Sequence, residues 1–182
     1  MKHLKTKILS IGIALTLTAT GFYTINSLKA EDSTQEQEFV QTSYHHIPLG
    51  KDVQDYVKQL CQEYGVPEKI VYAIVQTESN FQADAISITH DYGLMQINAI
   101  NHRWLSQELG ITDFLDAKQN LKAGIYMLSQ HIQQTQTLEQ ALMAYGLGIG
   151  NASMLFKQGV YSTQHTRYLL QIADGIEVFD VE

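Results

Sequence analysis

Helical punctuation recurs along this chain and constrains its fold more than any other feature. Asp116-Ala-Lys-Gln119 and Thr137-Leu-Glu-Gln140 both have the spacing of a capping box, in which side chains satisfy orphan amides at a helix start. Behind the first, Leu121, Ile125, Leu128 and Ile132 recur on one helical face. The same pattern predicts a helix over residues 52–64 ended by Gly65. A second opens with Pro67 near its first position, where a missing N–H costs nothing. Further helices are expected around residues 100–109, 138–145, 151–158 and 164–174, with Gly110, Gly146, Gly159 and Gly175 as stops. Strand character is confined to residues 86–89, which alternate; residues 90–93 can turn and 94–97 can return. The expected fold is therefore mainly α, a helical body with a small β-hairpin or structured loop appended.

The N-terminus has a different character. Lys2, Lys5 and Lys7 precede residues 8–28, which contain no charged side chain and end at Lys29-Ala30. A basic start, an apolar middle and a small residue at the end read as an export signal. The stretch is also close to the roughly 20 residues that cross a bilayer, so a cleaved signal peptide and an uncleaved membrane anchor both fit. Either one delivers the remainder outside the cytoplasm. Residues 31–50 are polar and aperiodic and read as a linker, which leaves 51–182 as one domain. All 19 Asp and Glu lie beyond residue 30, with only 8 of the 12 Lys and Arg, a balance that argues against nucleic acid as a partner. Cys61 is the only cysteine, so no intrachain disulfide can form. At helical spacing with Val57 and Leu60 it reads as a buried thiol, and core packing alone must hold the domain together.

Within the helix that begins at Pro67, Val71, Ile74 and Val75 share one stripe, and Glu78 falls in the middle of it. Glu68, Lys69 and Gln76 lie on other faces. The acid thus points inward at a helix C-terminus. Desolvation and the partial negative charge of the last carbonyls both disfavour its ionisation. A carboxyl so placed keeps its proton nearer neutral pH, as a general acid must. The alternative is a side chain that tips out of a fraying last turn into solvent.

Three blocks follow in order: Glu78-Ser79-Asn80-Phe81, then Asp91-Tyr92-Gly93-Leu94-Met95-Gln96-Ile97-Asn98, then Ala144-Tyr145-Gly146-Leu147-Gly148-Ile149-Gly150-Asn151. Through them the chain resembles the lysozyme-like lytic transglycosylases, particularly small ones associated with conjugation, secretion and pilus systems. The similarity runs from about residue 51 to 159. It implies a groove for peptidoglycan glycan strands, no cofactor, and Glu78 as the sole acid/base that cleaves the bond between N-acetylmuramic acid and N-acetylglucosamine with formation of a 1,6-anhydro sugar. It further implies that Tyr145 reaches toward the catalytic carboxyl and that Ser79 supports it. Gly93 would admit the sugar to the backbone, and Met95, Gln96 and Asn98 would contribute to substrate binding. Met95 and Tyr145 also have ordinary core readings. One departure stands out: Gly146 occupies the position where the family pattern carries asparagine. Secretion or conjugation machinery is the partner class that the resemblance adds.

Asp91 is a candidate second carboxylate. A muramidase-type hydrolase would use Glu78 and Asp91 together, at separations that differ between retaining and inverting enzymes. Aspartate beside a turn is also what an Asx-turn requires. A non-catalytic peptidoglycan-binding module is the third alternative, favoured by Gly146 and opposed by the intact Glu78-Ser79. Seven histidines form no His-Glu-x-x-His run and no Cys/His cluster at metal spacing, so no metal site is expected. His45-His46 falls in the linker, while His90 and His102 read as surface residues near the groove. Trp104, the only tryptophan, either stacks on a sugar or packs in the core.

Overall fold

The computed structural model describes residues 43–45, 47–176 and 178–180, with side chains over 47–176. The stretch at 8–28 and most of the linker lie outside these residues. Among the described residues no helix is long and apolar enough to cross a membrane.

Among the described residues, seven α-helices carry the fold. Helix α1 (Lys51–Tyr64) ends where Gly65 turns left-handed, and α2 (Glu68–Ser79) starts behind Pro67, both where the sequence places them. Helix α3 (His102–Leu109) follows a 3-10 turn over Ala99–Asn101. Helix α4 (Ala117–Gln134) is capped by Asp116, whose Oδ1 accepts from the Gln119 N–H at 2.9 Å. Helix α5 (Leu138–Leu147) is capped by Thr137, and α6 (Ile149–Lys157) and α7 (Gln164–Gly175) complete the set. In both expected capping boxes the returning glutamine goes elsewhere. Gln119 Oε1 accepts from the Thr112 and Asp113 amides, and Gln140 Oε1 from the Gln136 amide. These bonds pin the incoming loops rather than the cap residues.

Helix α2 is the centre of the body. Every residue from Ile70 to Val75 is buried, so this stretch is enclosed on all sides, while Lys69 and Gln76 at its two ends are exposed. It packs against α1 and α7, while α4 packs against α1, α3 and α5. Leu121, Ile125 and Leu128 of α4 are fully buried, with Ile132 at the edge, as their spacing predicts. Side chains of this size each contribute roughly 1.5–3 kcal/mol when withdrawn from water. Cys61 is buried beside Val57 and Leu60 in the same core. Strand β1 (Ser43–His45), inside the stretch read as linker, pairs antiparallel with the C-terminal strand (Val178–Asp180), and Ile47 and Leu49 pack on the core.

The hairpin is present but displaced. Its strands are β2 (Asp91–Tyr92) and β3 (Ile97–Asn98), so residues expected to turn are paired. Ile86 makes a single bridge to Tyr92, and the turn is 93–96. The reason lies on α4. Asn120, fully buried, accepts from the Met95 N–H at 2.8 Å and donates to the carbonyls of Tyr92 at 2.7 Å and Phe114 at 2.8 Å. One helical turn on, Gly124 leaves room for Met95; a Cβ there would run into the Met95 side chain. Gly93 turns left-handed (φ 73°), and a Cβ on it would strike the Asn120 amide and come 2.6 Å from the Phe114 carbonyl oxygen. Glycine at 93 therefore serves the grip of α4 on the turn. His102 stacks on Phe114 with ring centroids 3.6 Å apart and meets Tyr92 edge-on, backing the hairpin rather than lying free on the surface.

Candidate active site

A cleft of about 920 Å³ runs between the hairpin side and the walls made by α4, α5 and the start of α7. Glu78, Asp91, Gln96, Asn98, Trp104, His131, Tyr145, Gly146 and His165 all line it. Ser79, Gly93 and Met95 do not.

Glu78 sits in the last turn of α2, which Asn80 closes in the left-handed region at φ 49°. Its side chain is only 25% exposed, so it does not tip out into bulk water. Burial pushes its carboxyl above the ordinary range. The nearby His165 works against that rise, and the negative charge of Asp91 adds to it. The neighbouring Ser79 takes no part: its hydroxyl donates to the Val75 carbonyl at 3.0 Å, inside the helix. Periodicity explains the difference, because adjacent helical residues point in different directions.

This placement has a stability consequence. Folding lifts the Glu78 pKa above its unfolded value, so the folded state holds the proton through the interval between the two. Stability is then lost as pH rises through that window. Glu78→Gln, neutral throughout, is expected to melt at a higher temperature than wild type at pH 7. The gap should close as pH falls below the usual carboxyl range. Thermal melts at both pH values check this, and equal melting temperatures at pH 7 would show that the buried carboxylate costs nothing.

Asp91 is a carboxylate of the opposite kind. Burial acts to raise its pKa, but hydrogen bonds from Thr89, Ser87 and Asn98, with the charge of His90, outweigh it and leave the group below the ordinary range. Ser87 Oγ donates at 2.7 Å and Thr89 Oγ1 at 2.5 Å to one oxygen, and Asn98 Nδ2 at 2.7 Å to the other. The Ser87 hydroxyl oxygen also accepts from the Asp91 amide. Asp91 thus organises the hairpin and remains a fixed negative charge at the cleft. Its two oxygens are already engaged by three donors.

Tyr145 projects from α5. Burial, then the charges of Glu78 and Asp91, hold its phenol far above the usual value, so it stays protonated. That proton goes to the Met95 carbonyl at 2.8 Å rather than to Glu78. Met95 itself is fully buried; its backbone joins Asn120 of α4 to Tyr145 of α5 beneath the cleft. Tyr145→Phe is expected to cost about 1 kcal/mol by leaving that carbonyl unpaired. A denaturant midpoint unchanged by the substitution would count against the bond. Gln96, left-handed at φ 47°, donates to the carbonyls of Ala85 and Gly93 and holds the turn closed from within the cleft.

Trp104 is 38% exposed along the cleft wall, its indole N–H donating to Asn101 Oδ1 at 3.2 Å. Exposed Ile100 lines the same wall. Gly146 lies inside α5, and a Cβ added there would meet nothing within 4 Å. Two residues that sequence patterning did not single out also line the cleft. His131, whose pKa burial lowers, faces the Tyr145 ring edge-on at 6.5 Å. His165, in the first turn of α7, has its Nε2 3.4 Å from Glu78 Oε1. Among the described residues no group of three or more His, Cys, Asp or Glu is placed to hold a metal ion.

A mainly α body, a small hairpin lobe and a cleft with one inward-facing acid at the end of a central helix make up the lysozyme-like architecture. Residues 55–166 match the family model of the transglycosylase SLT domain, and the chain belongs to that family. It is 26% identical over 127 residues to a membrane-bound lytic murein transglycosylase F of Desulfosudis oleivorans, covering 66% of this chain and 26% of that protein. It is 29% identical over 91 residues to a transglycosylase of Enterobacteria phage PRD1, covering 50% of this chain and 33% of the phage protein. The X-ray structure of an inactive mutant of lytic transglycosylase Slt from Pseudomonas aeruginosa superposes with a TM-score of 0.59 at 23% identity, over 70% of this chain and 24% of that one. The two share the fold. The chain spans about a quarter to a third of the length of these relatives.

Proposed function

We propose that this protein is a peptidoglycan lytic transglycosylase in which Glu78 is the acid and base. The supporting observation is the contrast between its two cleft carboxyls. Glu78 is inward-facing with its pKa raised, while Asp91 is held ionised by three donors that occupy both oxygens. Glu78 protonates the glycosidic oxygen between N-acetylmuramic acid and N-acetylglucosamine. It then takes the proton of the muramoyl C6 hydroxyl as that oxygen bonds to C1. The bridge breaks, a 1,6-anhydro ring forms and Glu78 ends as it began. One carboxyl suffices because the substrate supplies the nucleophile. Asp91 facing the same cleft offers a fixed negative charge to the oxocarbenium character that develops at C1.

A muramidase would instead need Asp91 to attack the sugar or activate water, which its engaged oxygens oppose. Mass spectrometry of muropeptides released by the purified protein separates the two. Anhydro-ended fragments, lighter by one water, support the proposal; reducing muramic acid ends overturn it. The place of action in this reading is the cell envelope, outside the cytoplasm. The lysine-flanked apolar stretch at residues 8–28 supports delivery there as a signal or anchor. The resemblance to small transglycosylases of conjugation and secretion systems points to such machinery as the partner.

A further inference from the structure

Among the described residues, the basic side chain at contact distance from Glu78 comes from a different element. His165 lies in the first turn of α7, behind the Thr163 cap, and its Nε2 stands 3.4 Å from Glu78 Oε1. Its side chain is 49% exposed against 25% for Glu78, so the imidazole borders solvent while the carboxyl sits deeper. Thr163, His165 and Thr166 all line the cleft, which puts this end of α7 beside any bound glycan. Among the described residues, the other titratable groups lining the cleft are Asp91 from β2, the Tyr145 phenol from α5 and His131 from α4. Asp91 and Tyr145 bring no positive charge, and His131 is kept neutral near pH 7 by burial. Among these groups His165 is the one whose side chain can offer Glu78 a countercharge, and it stands at contact distance.

We infer that His165 is a positioning residue for Glu78: its imidazolium holds the acid in the carboxylate form, and so confines glycan cleavage to lower pH than the buried carboxyl alone would allow. The role is not that of a proton relay. In the proposed reaction Glu78 recovers its proton from the C6 hydroxyl, so no turnover needs a proton from outside. What His165 sets is the fraction of resting molecules whose acid is loaded. The direction follows from charge. An adjacent cation favours the ionised carboxyl, and removing it lets desolvation act unopposed. The half of this inference that concerns cleavage rests on Glu78 being the acid; the half that concerns proton affinity does not.

Two variants of the full chain test it. His165→Gln puts a polar side chain without charge at the position, and His165→Lys puts a lasting positive charge there. The Glu78 carboxyl carbon is titrated by NMR, assigned by its absence in Glu78→Gln, and kcat/KM is followed against pH on soluble glycan strands. In His165→Gln the carboxyl is expected to titrate at higher pH than in wild type, and the alkaline limb of kcat/KM to move up with it. In His165→Lys both are expected at or below the wild-type position. A His165→Gln carboxyl that titrates where wild type does overturns the inference, as does a rate loss uniform across pH with no shift of the limb. Wild-type clearing by Glu78→Gln would sink the proposed function while leaving the NMR result to stand by itself. An inactive Glu78→Gln with no shift in His165→Gln would sink only the role given to His165.

Discussion

Glu78→Gln is expected to reduce the release of anhydro-ended muropeptides by about 10²–10⁴-fold, the range that general acid–base catalysis supplies. The amide fits the same space at the end of α2 but cannot lend a proton to the glycosidic oxygen or take one from the C6 hydroxyl. A cell-wall turbidity assay on wild type and variant, followed by mass spectrometry of the soluble fraction, reads the effect. Because the variant is also expected to melt higher at pH 7, its inactivity could not be put down to unfolding. Clearing at the wild-type rate would remove Glu78 from the chemistry. Failure of both proteins to clear would favour the non-catalytic binding module, with Gly146 in place of the family asparagine as its sequence basis.

Asn120→Ala is expected to cost about 3–5 kcal/mol, since three buried backbone groups lose their partner at about 1–3 kcal/mol each before relaxation. The groups are the Met95 amide and the carbonyls of Tyr92 and Phe114. The melting temperature should fall by about 10 °C or more. Asn120→Asp, which keeps the acceptor but sets a negative oxygen against two carbonyls, should do no better. A melting temperature within about 2 °C of wild type would show that the turn does not depend on this grip. The loss is functional as well as structural. Tyr145 hangs on the Met95 carbonyl and Gln96 on the geometry of the same turn, so both cleft walls loosen together.

Most helices were legible because their signals are local. A cap at Asp116 or Thr137, a glycine after the last apolar residue and a one-sided apolar stripe act within a turn or two of each boundary. Gly146 shows where that logic gives out. A glycine inside a helix costs only about 1 kcal/mol, and α5 passes through it to Leu147 before Gly148, left-handed at φ 77°, breaks the run. The hairpin shifted for a different reason: its turn is set by Asn120 and Gly124, contacts from another helix that no window over residues 86–97 contains. The site divides the same way. Helical phase placed Glu78 facing inward. Motif matching brought Asp91, Gln96, Asn98 and Tyr145 to the cleft, but could not tell a side chain that faces sugar from one that holds the backbone behind it. Hence Ser79, Gly93 and Met95 lie off the cleft, and the Tyr145 proton goes to Met95. His165 carried no signal at all, because its meaning comes from the packing of α7 on α2.

Burial gives the lone thiol a use that has nothing to do with cleavage. Packed between Val57, Leu60 and the central helix, Cys61 has its pKa pushed up to about 12, so in the closed protein it is neither nucleophilic nor reachable. An alkylating reagent can capture it only in molecules whose α1 has come away from α2. Since no other cysteine exists in the chain, the rate of a single mass increment becomes a clock for how often that part of the core parts and reseals.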